Sequence, residues 1–222
     1  MTATKPLDAP DDRRRSKARR TRDALATAAC DLFLELGPAA TTVEAVADRA
    51  DVTRRTFSRY FTGKEEAALD FVRRDGDRIN ALLRARPVAE PPLLAYRAAV
   101  RDWLTDRRDP PWHVRPRMRA LLALVDTEPA LFAAYQRIRV DAQEESIRIV
   151  AERLGTDALG DVRPAAVVDA AAGILVAALR VWARGAEHDS GAGDLAALVE
   201  GAYDALTSEV AAATAHSTTT EE

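Results

Sequence analysis

Apolar positions recur at spacings of three and four along most of the chain, and no stretch alternates with the period of two that a half-buried strand requires. In residues 18–36 the stripe is Leu25, Ala29, Leu32, Phe33 and Leu36, which predicts a first helix ended by Gly37 and Pro38. In TTVEAVADRA, Thr41 followed three residues later by Glu44 has the form of a capping box, in which side chains satisfy the N–H groups that a first helical turn leaves unpaired. That second helix is short and runs to about Ala50. After a turn made by Ala50, Asp51 and Val52, Thr53 is placed to cap a third helix over about residues 54–61. Two short helices joined by a three-residue turn form a helix-turn-helix pattern. Val46, Ala47, Val52, Thr56, Phe57 and Phe61 are the positions that would hold the pair against Leu32 and Phe33.

Beyond Lys64 the helices lengthen, and proline or glycine breaks place them at roughly 64–86, 91–107, 114–126, 128–154, 163–187 and 192–213. The fold class expected is all-α. A disordered basic arm occupies residues 1–17, a trihelical unit 18–63, a larger helical domain 64–213 and a disordered tail 214–222.

Composition sharpens this outline. Apolar residues are 47% of the chain and charged residues 30%, a balance that folds. Cys30 is the single cysteine, so no internal disulfide and no cysteine-held metal site can form. Its neighbours Ala26, Ala29 and Phe33 suggest a buried, inert thiol, and a reducing cytoplasm is the compartment expected. The start of the chain lacks the apolar core of a secretory signal. The apolar run 165–182 carries Asp169 and Arg180 and is short for a membrane span, so it is expected to be a buried helix. The net charge of −3 conceals an asymmetry: residues 13–64 hold twelve Lys and Arg against six Asp and Glu, whereas residues 65–222 hold nineteen against twenty-six. A basic module is joined to an acidic one, which points to a polyanion partner for the first part only.

The run RRTFSRYF concentrates this chemistry. A helix of eight residues is about 12 Å long, close to the width of the DNA major groove. On it, Arg54, Arg55, Ser58 and Arg59 lie away from the inward-facing Thr56, Phe57 and Phe61, with Tyr60 near the boundary. Arginine offers a fork that matches guanine O6 and N7, so Arg54 and Arg55 are the candidates for reading bases. Thr42, at the start of the second helix, offers backbone N–H groups and a hydroxyl to a phosphate, and Lys64 would approach from the far side of the groove. The cluster RRRSKARRTR, residues 13–22, would reach an adjacent minor groove or the backbone as a flexible arm. A solvated arginine-rich face is the plainer reading of any one of these features; their conjunction within 50 residues favours DNA.

Enzymatic readings find little support. His113, His188 and His216 are scattered, no metal-ligand spacing or glycine-rich phosphate loop occurs, and Glu144 and Glu145 diverge on a helix. No cofactor and no metal are expected. In the acidic half, a pocket between helices would be lined by Trp103, Trp112, Met118, Leu122, Phe132, Tyr135 and Arg139, for each of which ordinary core is the simpler assignment.

The span from about Arg19 to Leu69 resembles the DNA-binding domain of TetR-family transcriptional regulators. The resemblance rests on Thr41 and Thr42, Val43, Val46 and Ala47, Val52 after the turn, Thr56 beside an aromatic, Tyr60, Phe61, Lys64 and Glu65, with Asp51 where the family often has glycine. It implies an all-helical homodimer that binds a roughly palindromic operator and releases it when a small molecule occupies the C-terminal domain. By position it makes Thr42, Arg54, Arg55, Ser58, Tyr60 and Lys64 DNA contacts, to which the basic segment adds Arg19 and Arg22. It also assigns dimerisation to the last two helices, where Ala170, Ala171, Gly173, Ala177, Ala178 and Trp182 would permit close approach, although small residues also pack inside a monomer. The stretch RPRMRALLALVDTEPALFAAYQRIRVDAQEESIRIVAERLG is similar to the subgroup whose ligand domain is described as acyl-CoA-like, which implies a long hydrophobic effector. The competing class is a helical ligand-binding or scaffold protein that retains the trihelical form without reading DNA.

Overall fold

The computed structural model describes residues 10–114, 117–184 and 194–219, and among these every regular element is helical. In chain order they are α1 Pro10–Leu36, α2 Val43–Arg49, α3 Arg54–Phe57, α4 Lys64–Ala68, α5 Asp70–Ala85, α6 Pro92–Leu104, the 3-10 turn η1 Trp112–Val114, α7 Met118–Thr127, α8 Pro129–Leu154, α9 Val162–Arg184 and α10 Leu195–Thr219. The all-α class is the one expected. The chain divides into two compact units: the described residues as far as Phe71 with Glu128–Tyr135, and Val72–Thr127 with those from Gln136 onward.

In the first unit, α1 packs against α2 and α4, and α2 against α3. Leu25, Ala29, Leu32 and Phe33 of α1 are buried together with Val46, Ala47, Phe57, Phe61 and Leu69, whereas Leu36 at the helix end is exposed. Burying each of the larger of these side chains is worth about 1.5–3 kcal/mol. That is enough to fix short helices which would be marginal alone.

Several boundaries differ from the sequence pattern. α1 begins at Pro10, so residues 10–17 of the expected arm are helical, while residues 1–9 lie outside the described chain. The cap of α2 is Thr42, whose hydroxyl accepts the Ala45 N–H at 3.1 Å; Thr41 is buried and its hydroxyl donates to the Gly37 carbonyl at 2.9 Å, closing the preceding turn. α3 is regular only to Phe57, after which the N–H groups of Arg59 and Tyr60 bond three residues back, a tightened final turn. The single helix expected over 64–86 breaks at Leu69 into α4 and α5. At that break the Cys30 thiol, buried as expected, donates to the Ala68 carbonyl at 3.0 Å. α10 runs to Thr219, past the expected end at 213.

In the second unit, α9 packs against α6, α7 and α10, and α10 also against α6. α9 is long and apolar enough to cross a membrane by length and composition, yet Val168, Ala171, Ala172, Ile174, Ala178, Leu179 and Trp182 are buried in the fold, as the core-helix reading requires. Where α5 meets α8, a Cβ at Gly76 would lie 3.0 Å from that of Ala142. The approach is tied by Asn80, which donates to the Ala142 carbonyl at 3.0 Å and accepts from the Ser146 hydroxyl at 2.6 Å. Arg153 donates to the carbonyls of Arg86, Pro87 and Glu90 and so fixes the turn between α5 and α6. Arg97 of α6 pairs with Glu200 and, at 2.8 Å, with Asp204 of α10.

Candidate nucleic-acid interface

The turn between α2 and α3 is built from the backbone upward. Asp51 has φ 53°, the left-handed conformation expected of a residue standing where glycine is common. Its N–H bonds to the Asp48 carbonyl and that of Val52 to the Ala47 carbonyl, at 3.1 and 3.0 Å, the paired bonds of a Schellman cap. Thr53 then caps α3 by accepting the Thr56 N–H at 3.1 Å. Phe57 and Phe61 face the core with ring centroids 5.8 Å apart. With that face buried, Arg54, Arg55, Ser58 and Arg59 are exposed and Tyr60 is half-buried. Thr42 is exposed at the start of α2.

Two of these groups have local commitments. Arg54 pairs with Glu44 of α2 at 2.9 Å, both side chains being more than half exposed, and solvent makes such a pair easy to exchange for another anion. The Ser58 hydroxyl donates to the Arg54 carbonyl at 3.2 Å. Arg19 is exposed on α1 with Asp23 at 3.9 Å.

Lys64 and Arg22 are placed differently from the sequence expectation. Lys64 is directed inward: its ammonium donates to the carbonyls of Pro38 and Thr41 at 2.6 and 2.7 Å, stitching α4 to the loop between α1 and α2. Arg22 donates from Nε and Nη2 to Asp70 at 3.0 and 2.7 Å, and its guanidinium lies 4.7 Å from the centre of the Phe61 ring. Asp70 is buried, and a buried carboxylate needs such donors. Both residues therefore hold the unit together rather than line its cationic face. Sequence reasoning missed these ties because their partners lie 23 to 48 residues away.

The candidate ligand residues divide between the two units. Phe132 is 41% exposed, and it and Tyr135 belong to the first unit. Trp103, Trp112, Met118 and Leu122 are buried in the second. The group that gathers there centres on His113, which the sequence pattern did not single out for this role. Its ring lies 5.9 Å from that of Trp103, 6.2 Å from Trp112 and 5.8 Å from Trp182, and the Arg119 guanidinium lies 4.3 Å over Trp182. Burial pushes the His113 pKa down, with Asp194 opposing. Beside it, the buried Asp75 accepts the Trp112 N–H and an Arg78 N–H, each at 3.2 Å. The Nε of Arg139 is buried without a partner among the described residues.

On α9, Ala170, Gly173 and Ala177 are exposed, and nothing lies within 4 Å of a Cβ built at Gly173. Ala171, Ala178 and Trp182 point instead into the core. Trp182, expected at a subunit contact, is occupied by the aromatic cluster.

Residues 25–68 match the family described as bacterial regulatory proteins, tetR family, and residues 90–211 match the MftR C-terminal domain. The chain is 35% identical over 204 residues to the HTH-type transcriptional regulator TcmR of Streptomyces glaucescens, covering 89% of this chain and 87% of that one. A solved structure of a SmeT–triclosan complex is similar over 83% of this chain and 90% of its own, at 22% identity and a TM-score of 0.44. Regulators of this kind bind DNA operators and small-molecule effectors, act as dimers and are not enzymes. The chain belongs to the tetR family of bacterial transcriptional regulators, with an N-terminal DNA-binding domain and a C-terminal domain of the MftR type.

Proposed function

We propose that the protein is a repressor that binds an inverted-repeat operator as a homodimer and leaves it when a small hydrophobic effector occupies the C-terminal domain. The observation that carries this reading is the division of α3 and the turn that follows it into two faces, Phe57 and Phe61 buried and Arg54, Arg55 and Arg59 exposed. Arg54 and Arg55, in the first turn, read base edges; Thr42, Ser58, Tyr60 and Arg19 position the unit on phosphates. The exposed Ala170, Gly173 and Ala177 of α9 support a close helix contact between two copies. The aromatic interior around Trp103, Trp112, Met118 and Leu122 supports an apolar effector, of which an acyl-CoA is one chemical type.

The test is to sequence genomic fragments retained by the purified protein at near-physiological salt, beside an Arg54→Ala, Arg55→Ala variant. Recovery of one inverted repeat by the native protein alone is expected. Equal recovery by the variant would remove base reading from α3, and the scaffold alternative gains if neither protein enriches a sequence and no extract component alters that.

A further inference from the structure

The capping box predicted for Thr41 and Glu44 does not form. The cap of α2 falls on Thr42, so the position three residues on is Ala45, whose N–H the Thr42 hydroxyl accepts. Glu44 is thereby released from the helix end. Its Oε1 lies instead 2.9 Å from Nη1 of Arg54, the residue that opens α3. The elements carrying the two groups are fixed against each other: α2 packs on α3, the left-handed Asp51 sets the turn and Thr53 caps the second helix. An acid on a surface that meets DNA is costly, because it faces phosphates of its own sign. This one stands beside a guanidinium assigned to base reading.

The pair matches the edge of one base pair, group for group. Across the major groove G·C presents two acceptors, guanine N7 and O6, and then the N4 amino donor of cytosine. A guanidinium holds five N–H donors in a fixed fork, so Arg54 has bonds for N7 and O6 while Nη1 keeps Glu44. The carboxylate is then the acceptor for N4. The spacing agrees as well: O6 and N4 are hydrogen-bonded to each other within the base pair and so stand about 2.9 Å apart, the separation of Nη1 from Oε1 of Glu44. At an A·T pair the carboxylate would meet thymine O4, acceptor against acceptor. We propose that Glu44 is a specificity-determining residue that reads one G·C pair per half-site together with Arg54, orienting the fork and accepting from cytosine. On other sequences it competes with phosphates for Arg54 and so lowers non-specific affinity. This rests on the DNA-binding reading above and deepens it.

The experiment is selection from a library of duplexes with a randomised core, using full-length native protein, Glu44→Ala, Arg54→Ala and the double variant. Each protein is also titrated with one duplex of arbitrary fixed sequence. Glu44 is exposed, so Glu44→Ala should keep a near-native thermal midpoint. Its preference for G·C at one position per half-site should fall about fivefold or more, the lower end of what one good base contact discriminates. Its affinity for the fixed duplex should rise about two- to fivefold, the size of an exposed ion pair. In the Arg54→Ala background the same substitution should alter base preference less, because the two groups act on one base pair. Unaltered preference in Glu44→Ala overturns the proposal, even if affinity for the fixed duplex rises, since Glu44 is then a source of general repulsion only. An equal loss of preference with and without Arg54 overturns the shared reading. A native protein that enriches no sequence removes the DNA-binding reading itself, an outcome separate from native and Glu44→Ala proteins that enrich one repeat to the same degree.

Discussion

At the scale of single residues, the first unit sorts its arginines by the company their neighbours keep. Arg55 is exposed on a helix whose other face is filled, so its guanidinium is available to a base edge. Arg55→Ala is expected to lower specific affinity by about 1–3 kcal/mol and to relax preference at one base position per half-site, measured by titrating the native and variant proteins against operators altered one base pair at a time. A uniform loss on every sequence would make Arg55 a phosphate contact. Arg22 gives the opposite expectation. Removing it strips the buried Asp70 of two charge-assisted donors, and breaking a buried pair from one side costs about 3–5 kcal/mol; because Arg22 is itself partly exposed, the lower end applies. Arg22→Ala should therefore lower the thermal midpoint markedly, and adding Asp70→Asn should recover part of the loss. If the double variant is no more stable than the single one, the pair is not what holds α1 to the α4–α5 junction.

At the scale of elements, the capping chemistry decides where the short helices begin and end. The left-handed Asp51 sets the angle between α2 and α3 through its Schellman bonds. A β-branched side chain there meets the steric cost of about 1–2 kcal/mol that L-residues incur in this region, whereas glycine avoids it. Asp51→Val should be destabilising by that amount in a urea titration and Asp51→Gly near neutral; equal midpoints would mean that the turn relaxes out of the left-handed conformation. This turn, the two short helices that it joins and the outward arginines were legible in the sequence because each depends on residues within four positions of one another. The Thr41 hydroxyl was misread for the same reason: a local capping pattern fitted it, yet its bond to Gly37 closes the loop behind it. The break at Leu69, the inward turn of Lys64 and the burial of Trp182 were not legible, since each is settled by partners distant in the chain. The extension of α1 to Pro10 was hidden by polar composition, which reads as disorder when no packing face is present.

At the scale of the whole molecule, a basic reading head is joined to an acidic body, and within that body the His113 ring stands among three tryptophans. His113 belongs to η1, Trp103 to α6 and Trp182 to α9, so the cluster braces three elements of the second unit at once. Burial disfavours the charged imidazolium, and the carboxylate of Asp194 only partly offsets this, so the folded-state pKa lies below the ordinary value of 6.5. A group whose pKa is depressed by folding leaves stability whole above the unfolded pKa and erodes it as pH falls through 6.5 toward the folded value, because the unfolded chain then binds the proton more readily. Urea midpoints measured from pH 8 to pH 5 should fall on the acid side in the native protein, and less steeply in His113→Leu, which keeps an apolar group among the tryptophans but cannot titrate. The difference between the two curves isolates His113 from every other acid-sensitive group in the chain. Curves that run parallel over that range would show that the ring accepts its proton without disturbing the brace, and that the tryptophans hold η1, α6 and α9 together by packing alone.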